Sequence, residues 1–309
     1  MMKKASLALC LLIVLVSITS CSFDKNLDEN QSVDLSWSFD PDTGVLDITG
    51  SGAMEDYERA GITTTAPWAD YYSDIKTVNL PEGLTRIGNY AFDDCSSLTA
   101  INLPKSLTSI GYHAFAGCSS LTEINLPEGL TSIGDLAFYG CKSLTTLDLP
   151  KGLTSIGDWV FYNCSSLTAI NLPEGLTGIG WCAFRGCSSL TAVNLPESLT
   201  SIGRHAFYDC RSLTAVNLPE SLTSIGRYAF YDCRYLTVIS LPESLTSIGK
   251  EAFAKCSSLT AAYFKGNSPS FGANVFAKAA PDFVICYLEG KSGWTTPTWN
   301  DYPARAEVF

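Results

Sequence analysis

The side chains with the most reactive chemistry in this sequence are twelve cysteines and two histidines. Eight of the cysteines recur every 23 residues, at Cys95, Cys118, Cys141, Cys164, Cys187, Cys210, Cys233 and Cys256. No two cysteines have the C-x-x-C spacing typical of a zinc site, and His113 and His205 lie four repeats apart. If repeats stack at the strand spacing of about 4.8 Å, these histidines cannot share an ion. The sequence predicts no metal centre and no cofactor.

The periodic cysteines raise the question of disulfides. Equivalent residues in stacked coils would have Cα atoms near 5 Å apart, which a disulfide tolerates. Their Cβ atoms would point in parallel, however, and each cysteine follows a phenylalanine by three residues on the predicted buried face. We therefore expect reduced cysteines that pack as small hydrophobic side chains. Cys182 lies outside the pattern and is predicted to be an exposed free thiol, and the redox states of Cys182 and Cys286 stay open.

Composition excludes two further classes of function. With 20 Lys and Arg against 31 Asp and Glu, the net charge is −11, so nucleic-acid binding has no basic surface to use. The sequence has two histidines, no nucleophile beside a base and no glycine-rich phosphate loop. We expect a protein that is not an enzyme.

The cysteines belong to a unit of 23 residues that is repeated eight times over residues 81–264. Prolines mark it from Pro81 to Pro242 without an insertion, and one unit reads PKSLTSIGYHAFAGCSSLTEINL. A constant period of this size is typical of a solenoid, in which coils bury their apolar faces by stacking. Within a unit, L-x-x-I-x-L predicts a short strand, L-T-S-I an extended segment, and Gly111 a corner. Ala114, Phe115, Cys118 and Leu121 predict a short helical turn.

The unit LxxIxLPxxLTSIGxxAFxxCxxL resembles the leucine-rich repeat of the BspA-like bacterial surface proteins. The resemblance implies a repeat solenoid of β-rich α/β class, a right-handed leucine-rich-repeat superhelix. Trp37–Gly50 alternates around Asp-Pro-Asp-Thr-Gly and predicts a β-hairpin, so residues 33–80 are expected to form an N-terminal cap. Residues 265–309 resemble the closing segment of the same family and are expected to form a C-terminal cap, since an open end would expose the core.

The first residues have the order of an export signal. Lys3 and Lys4 precede an apolar run that ends near Val16, and small residues precede Cys21. This resembles the bacterial lipoprotein box, so residues 1–20 are interpreted as a lipoprotein signal peptide with Cys21 as the lipidated residue; a plain secretory signal is the alternative. Residues 21–32 are polar and are expected to tether the protein to the membrane. The expected location is the outer membrane or the cell surface.

Two surfaces are candidates for binding. The first, called the ridge here, carries tyrosine and arginine, which are enriched at binding hot spots. The second, called the floor, consists of small amide side chains on the strands; its alternative interpretation is a hydrogen-bonded ladder that holds the coils in register. The ridge comprises Tyr139, Tyr162, Tyr208, Tyr231, Arg204 and Arg227, and the floor comprises Asn102, Asn125, Asn171, Asn194 and Asn217.

Three functional hypotheses remain. The resemblance implies a surface protein that binds a protein ligand, either a host matrix or plasma protein or a bacterial surface protein. We expect it to be a monomer. The second hypothesis is a glycan-binding component of a nutrient-uptake system, for which Trp159, Trp181 and the tyrosines could stack on sugars. The third is a structural role in the cell envelope.

Overall fold

The computed structural model describes residues 35–61 and 63–308. The signal peptide, Cys21 and the tether predicted above lie outside the described residues. The described chain is a β-solenoid, as the repeat predicts. It has about ten coils, because flanking segments add strands to the eight predicted repeats. Its helical content is one 3₁₀ turn at Ala69–Tyr71 within these residues. None of their helices has the length and apolar character needed to cross a membrane.

One side of the solenoid is a column of short parallel strands. In a typical strand an aliphatic residue faces the core, and the residues on either side of it are small or polar and face outward. Equivalent residues pair across 23 positions, as in Val193 with Val216. Between the second and third strands of the column, the coil carries only an isolated bridge, Asn102 to Asn125. The strands are Thr77–Asn79, Ala100–Ile101, Thr146–Asp148, Ala169–Asn171, Ala192–Asn194, Ala215–Asn217, Val238–Leu241, Ala261–Phe264 and Val284–Leu288.

A second side is formed by the predicted L-T-S-I segments. Ile202 pairs with Ile225, for example, and faces the core. This column begins with Ser51–Ala53, which pairs in parallel with Gly83–Ile87. Its remaining strands are Ser109–Ile110, Ser132–Ile133, Ser155–Ile156, Gly178–Ile179, Ser201–Ile202, Ser224–Ile225, Ser247–Ile248 and Ser270–Phe271.

The third side differs from the predicted helical turn, which is wrong. Its N–H groups alternate between two kinds of partner: Ala116 and Cys118 donate within the coil to the residue three before, whereas Phe115 donates to Ala137 of the next coil at 2.8 Å. A helix would direct all these donors along one axis. The left-handed backbone of His113, with a φ of 55°, also breaks the helical path. The segment is therefore a series of turns, and we call this side the turn face.

The corner glycine is required for a different reason from the predicted one. The left-handed residue is His113 rather than Gly111, so the glycine does not supply a positive φ. A Cβ on Gly203 would lie 2.6 Å from the carbonyl oxygens of Ile179 and Gly180. Real side chains do not tolerate that distance, so glycine permits the coils to approach closely at this corner.

A column of phenylalanines fills the core along the turn face. Nine of them, from Phe92 to Phe276, stack one per coil with ring centroids between 5.1 and 5.6 Å apart. At the N-terminal end Trp68 stacks on Phe92 at 5.7 Å and donates its indole N–H to the Ala91 carbonyl at 2.7 Å. The column thus runs through the repeats and ends on other aromatic rings.

The periodic cysteines form a second buried column, as predicted. Each thiol from Cys118 to Cys256 donates to the carbonyl of a phenylalanine in the preceding coil; Cys164 reaches Phe138 at 3.2 Å. Burial raises the pKa of the Cys164 thiol to about 12. The ten cysteines of the described residues are free, and Cys286 is buried with its thiol 3.4 Å from Glu307.

Further strands flank the repeats. The predicted hairpin pairs Ser36–Asp40 with Val45–Thr49, and the Asp40 carboxylate accepts from the Asp42 N–H and the Thr43 hydroxyl in its turn. Val45–Thr49 then joins Thr77–Asn79 in parallel. At the other end, Thr298–Trp299 and Tyr302–Glu307 form a hairpin against Val284–Leu288. Arg59–Ala60 and Thr63–Thr64 form a small separate ribbon.

We expect Phe161→Ala to destabilise the protein by about 3–5 kcal/mol, because it opens a cavity in the middle of the phenylalanine column. Its neighbours at 5.6 and 5.4 Å, Phe138 and Phe184, would lose their contacts with it. Urea unfolding followed by circular dichroism measures this change, and exposed Glu174→Ala is the control, expected within about 0.5 kcal/mol of the wild type. Equal stability of the two variants would contradict the packing described here.

Candidate functional site

The predicted ridge tyrosines lie on the turn face and stack in two pairs. Tyr139 and Tyr162 are parallel with centroids 4.9 Å apart, and Tyr208 and Tyr231 are 4.7 Å apart. Each follows a core phenylalanine, so the buried phenylalanine column sets the spacing of the tyrosines above it. The rings are half-buried, because each covers part of the next.

Arg185 joins the two pairs and was not among the predicted site residues. Its guanidinium lies 4.5 Å from the Tyr208 centroid and 5.5 Å from that of Tyr162, so it is held between two aromatic rings by cation–π interactions. We call Tyr139, Tyr162, Arg185, Tyr208 and Tyr231 the stacked column. The sequence does contain the signal for Arg185: it follows Phe184 at the position where the adjacent repeats carry tyrosine.

The two predicted ridge arginines lie beside the stacked column rather than in it. Arg204 and Arg227 directly follow corner glycines and are exposed, and the Arg227 guanidinium lies 5.1 Å from the Tyr228 ring. Across the part of the chain that the structure describes, no carboxylate lies within 4 Å of Arg185, Arg204 or Arg227. These cations therefore keep their charge available on an otherwise acidic protein.

Two other arginines of the turn face are neutralised by carboxylates. Arg211 contacts Asp209 at 2.5 Å and Asp232 at 3.5 Å, and Arg234 contacts Asp232 at 2.9 Å. The Arg234 and Arg211 guanidinium groups lower the pKa of Asp232 despite the opposing effect of its burial. Burial raises the pKa of Asp209. Its two aspartates directly follow Tyr208 and Tyr231 of the stacked column in the sequence.

Cys182 corrects a prediction. Instead of an exposed thiol it is a buried one, and it is unpaired with Cys187. It occupies the left-handed position two residues after the corner glycine, between the larger Trp159 and His205 of the adjacent coils. A short side chain there is covered by its neighbours. Burial raises the pKa of Cys182, so its thiolate is a poor candidate for surface chemistry.

His205 lies within the cationic part of the turn face. Burial and the charges of Arg204, Arg185 and Arg227 lower its pKa to about 4. The neutral ring accepts a hydrogen bond at Nδ1 from the Trp181 indole N–H at 3.3 Å, and it stacks on Tyr228 at 4.9 Å. Protonation at Nδ1 would remove that hydrogen bond and add a charge beside three arginines.

The floor residues lie on the first strand column, where Asn102, Asn125, Asn171, Asn194 and Asn217 are all exposed. Among these five, the described side-chain hydrogen bond between coils is from the Asn171 amide to the Asp148 carboxylate. Threonine hydroxyls make more of the described side-chain hydrogen bonds between coils than asparagine amides do. Thr168 donates its hydroxyl to Thr145 O at 3.0 Å and Thr223 donates to Thr200 O at 3.0 Å, in two columns that sequence reasoning missed. Their signal was a threonine at a fixed place in every repeat.

No cluster of three or more potential metal ligands exists among residues 35–61 and 63–308. Within the described residues, the turn face is where aromatic and cationic side chains lie together. Such side chains are suited to binding.

The stacked coils, inward aliphatic ladder and 23-residue register define a leucine-rich-repeat solenoid. A family model described as "BspA type Leucine rich repeat region" matches six copies, over residues 69–191 and 155–281. The two matches together cover more than half of the chain, which therefore belongs to the BspA-type leucine-rich-repeat family. This confirms the resemblance found in the repeat motif. No curated protein sequence matches the chain.

Solved structures show the same fold. A leucine-rich repeat protein from Bacteroides ovatus superimposes with a TM-score of 0.68 at 25% identity, covering 93% of this chain and 77% of that one. A leucine rich cell surface protein from Faecalibacterium prausnitzii gives 0.51 at 22% identity, with coverages of 87% and 90%. A leucine-rich repeat protein from Eubacterium ventriosum gives 0.51 at 23%, with 84% and 77%.

We expect the His205 imidazole to stay neutral until the pH approaches about 4. The unfolded chain binds this proton near pH 6.5, so between these values the unfolded state holds more protons and the free energy of unfolding falls as the pH is lowered. NMR titration of the imidazole and thermal melts from pH 7 to pH 4 measure both effects. His205→Gln should show a smaller loss of stability over this range, and an imidazole that titrates near 6.5 would contradict the prediction.

Proposed function

We propose that this protein is a bacterial surface protein that recognises a protein partner through the turn face, in adhesion to host or bacterial surfaces. The stacked column is the observation that carries the proposal. Hot spots of protein interfaces are enriched in tyrosine and arginine. Here these residues are already held in place by stacking and by the rigid core beneath, so little side-chain entropy remains to be lost on binding.

The arrangement of the rings favours a protein over a glycan as the partner. Sugars stack on the flat faces of aromatic rings, and the faces within the stacked column are occupied by the neighbouring tyrosine or by Arg185. What the column offers to solvent is ring edges, hydroxyl groups and guanidinium groups. These suit the hydrogen-bonding and charged groups of a protein surface. Trp181, 42% exposed, is a large ring beside the stacked column with open surface.

A surface location is supported by the family and by the relative from Faecalibacterium prausnitzii, which is described as a cell surface protein. We propose that the chain reaches the surface as a lipoprotein acylated at Cys21. Acyl chains contribute about 0.8 kcal/mol per buried methylene group, so two or more are enough to hold a protein on a membrane. The folded repeats then need no membrane segment of their own.

The partner is tested by biolayer interferometry of the purified protein against host matrix proteins, plasma proteins, bacterial surface proteins and polysaccharides. The ridge variant carries Tyr162→Ala, Arg185→Ala and Tyr208→Ala. The matched control carries Asn171→Ala, Asn194→Ala and Asn217→Ala. Each of these changes lies in the strand of the first column that follows one of the three ridge-variant positions in the sequence. We expect the ridge variant to bind a protein ligand at least about 30-fold more weakly, which corresponds to one hot-spot residue, and the control to bind like the wild type.

Three results would contradict the proposal. Weaker binding by the control and unchanged binding by the ridge variant would place the site on the floor. Saturable binding of a polysaccharide alone would favour glycan uptake. Binding to no member of the panel would favour a structural envelope role. Circular dichroism melts of both variants verify that they are folded.

The lipid anchor is tested by partition of the expressed protein between detergent and water after labelling with a radioactive fatty acid. We expect the wild type to carry label and enter the detergent phase, and Cys21→Ser to lose both properties. Cys10→Ser is the control, because Cys10 lies inside the apolar run with no cleavage context. Label on the Cys21→Ser variant would refute acylation at this residue.

A further inference from the structure

The stacked column ends abruptly at Tyr231. The residues that follow Phe253 and Phe276 in the next two coils are Ala254 and Ala277, at the place where tyrosine stands in the preceding coils. Their short side chains leave a cavity of about 210 Å³ beside the Tyr231 ring, lined also by Lys255, Asn274 and Lys278. The last ring of the column therefore borders an open space instead of another ring.

Lys255 makes a cation–π contact at the edge of this cavity. Its ammonium nitrogen lies 4.8 Å from the centroid of Tyr231, as Arg185 lies 4.5 Å from that of Tyr208. Arg185, however, has a second ring on its other side, Tyr162. In the next coil, the place directly after the core phenylalanine holds Ala277 rather than a tyrosine, so Lys255 has no such second ring there. Arg185 thus has an aromatic ring on each side, whereas Lys255 has a ring on one side, that of Tyr231.

From this geometry we propose that the cavity receives an aromatic side chain of the partner protein with a carboxylate beside it. The inference rests on the proposed function and names the contact that the partner makes at this end of the turn face. A partner ring would lie over Ala254 and Ala277, on the side of the Lys255 ammonium away from Tyr231, and would complete the cation–π sandwich there. A cation–π contact favours a ring over an aliphatic chain.

The charges around the cavity favour an acid beside that ring. Lys255 and Lys278 line it, and the acidic lining residue is Glu251, which is already engaged by Lys250 at 3.4 Å and by the Tyr228 hydroxyl at 3.4 Å. Lys278 is exposed. A carboxylate that enters with the ring would meet the two lysines, and the Asn274 amide offers a further donor. A basic side chain would meet two like charges.

The probe for this site is 4-hydroxyphenylacetate, which carries a ring and a carboxylate. Its binding to the purified protein is measured by saturation-transfer NMR, beside cyclohexylacetate, which lacks the aromatic ring, and 4-methylphenol, which lacks the acid. We expect saturable binding of 4-hydroxyphenylacetate and binding at least about fivefold weaker for each analogue, since one cation–π or ion-pair contact contributes that much. Equal binding of cyclohexylacetate, or tighter binding of galacturonate, would overturn the aromatic assignment.

Two variants locate the probe. Ala254→Tyr should fill the cavity and extend the stack, and Lys255→Met should remove the cation while keeping a long side chain. Each is expected to weaken binding of 4-hydroxyphenylacetate about tenfold or more. Ala192→Tyr makes the same alanine-to-tyrosine change on the exposed first strand column and should bind like the wild type. Undiminished binding by both cavity variants, or absence of saturable binding to the wild type, would refute the site.

The two proposals fail separately. If Ala254→Tyr loses the probe but keeps full affinity for the protein ligand that the ridge variant has lost, the partner uses the stacked column without the cavity. If the probe binds at the cavity and no protein ligand is found, the aromatic site stands and the recognition of a protein by the turn face does not.

Discussion

The constant period of 23 residues is the constraint on which this structure depends. It places the same residue at the same level of every coil, so each side chain packs first of all against a copy of itself. The phenylalanine column, with rings about one strand spacing apart, is the strongest expression of this rule. A coil has no core without its neighbours, and stability is a sum over the contacts between adjacent coils.

The same constraint organises the surface. Because the core positions repeat at a constant period, the residues directly after them repeat in space even where their types differ. Tyr162, Arg185 and Tyr208 become a vertical contact although each is 23 residues from the next. The N–H groups of the turn face pair with the next coil and keep the rows fixed, as Phe115 does with Ala137. Recognition chemistry on this protein is therefore arranged in columns along the solenoid axis.

Much of the fold followed from the sequence because burial and period coincide. The fixed leucines, isoleucines, phenylalanines and cysteines predicted the core, and the glycine and proline positions predicted the corners. The helical turn was wrong because the apolar spacing of Ala114, Phe115 and Cys118 fits a helix and a turn series equally. The choice depends on where the backbone N–H groups find partners, and every second one finds its partner in another coil.

The candidate site was predictable only in part. The tyrosines could be predicted because the same residue type recurs at the same place in several repeats. Arg185 belongs to the stacked column through its cation–π contacts, which a search for one residue type does not detect. Cys182 was assigned to the surface because its position varies. Trp159, Cys182 and His205 occupy the same position in three successive coils, and that position is only partly exposed. Cysteine has the smallest side chain of the three, so its larger neighbours bury it.

The near-identity of the coils also bears on how such a protein can change over generations. Gain or loss of one 23-residue unit by recombination between repeats would keep the packing of the core, since the interfaces between coils are built from the same positions with similar side chains. It would still shift Arg185 or Lys255 by one level relative to the tyrosines and so alter the order of rings and charges displayed. Length variation, in this architecture, diversifies the exposed pattern at little cost to folding.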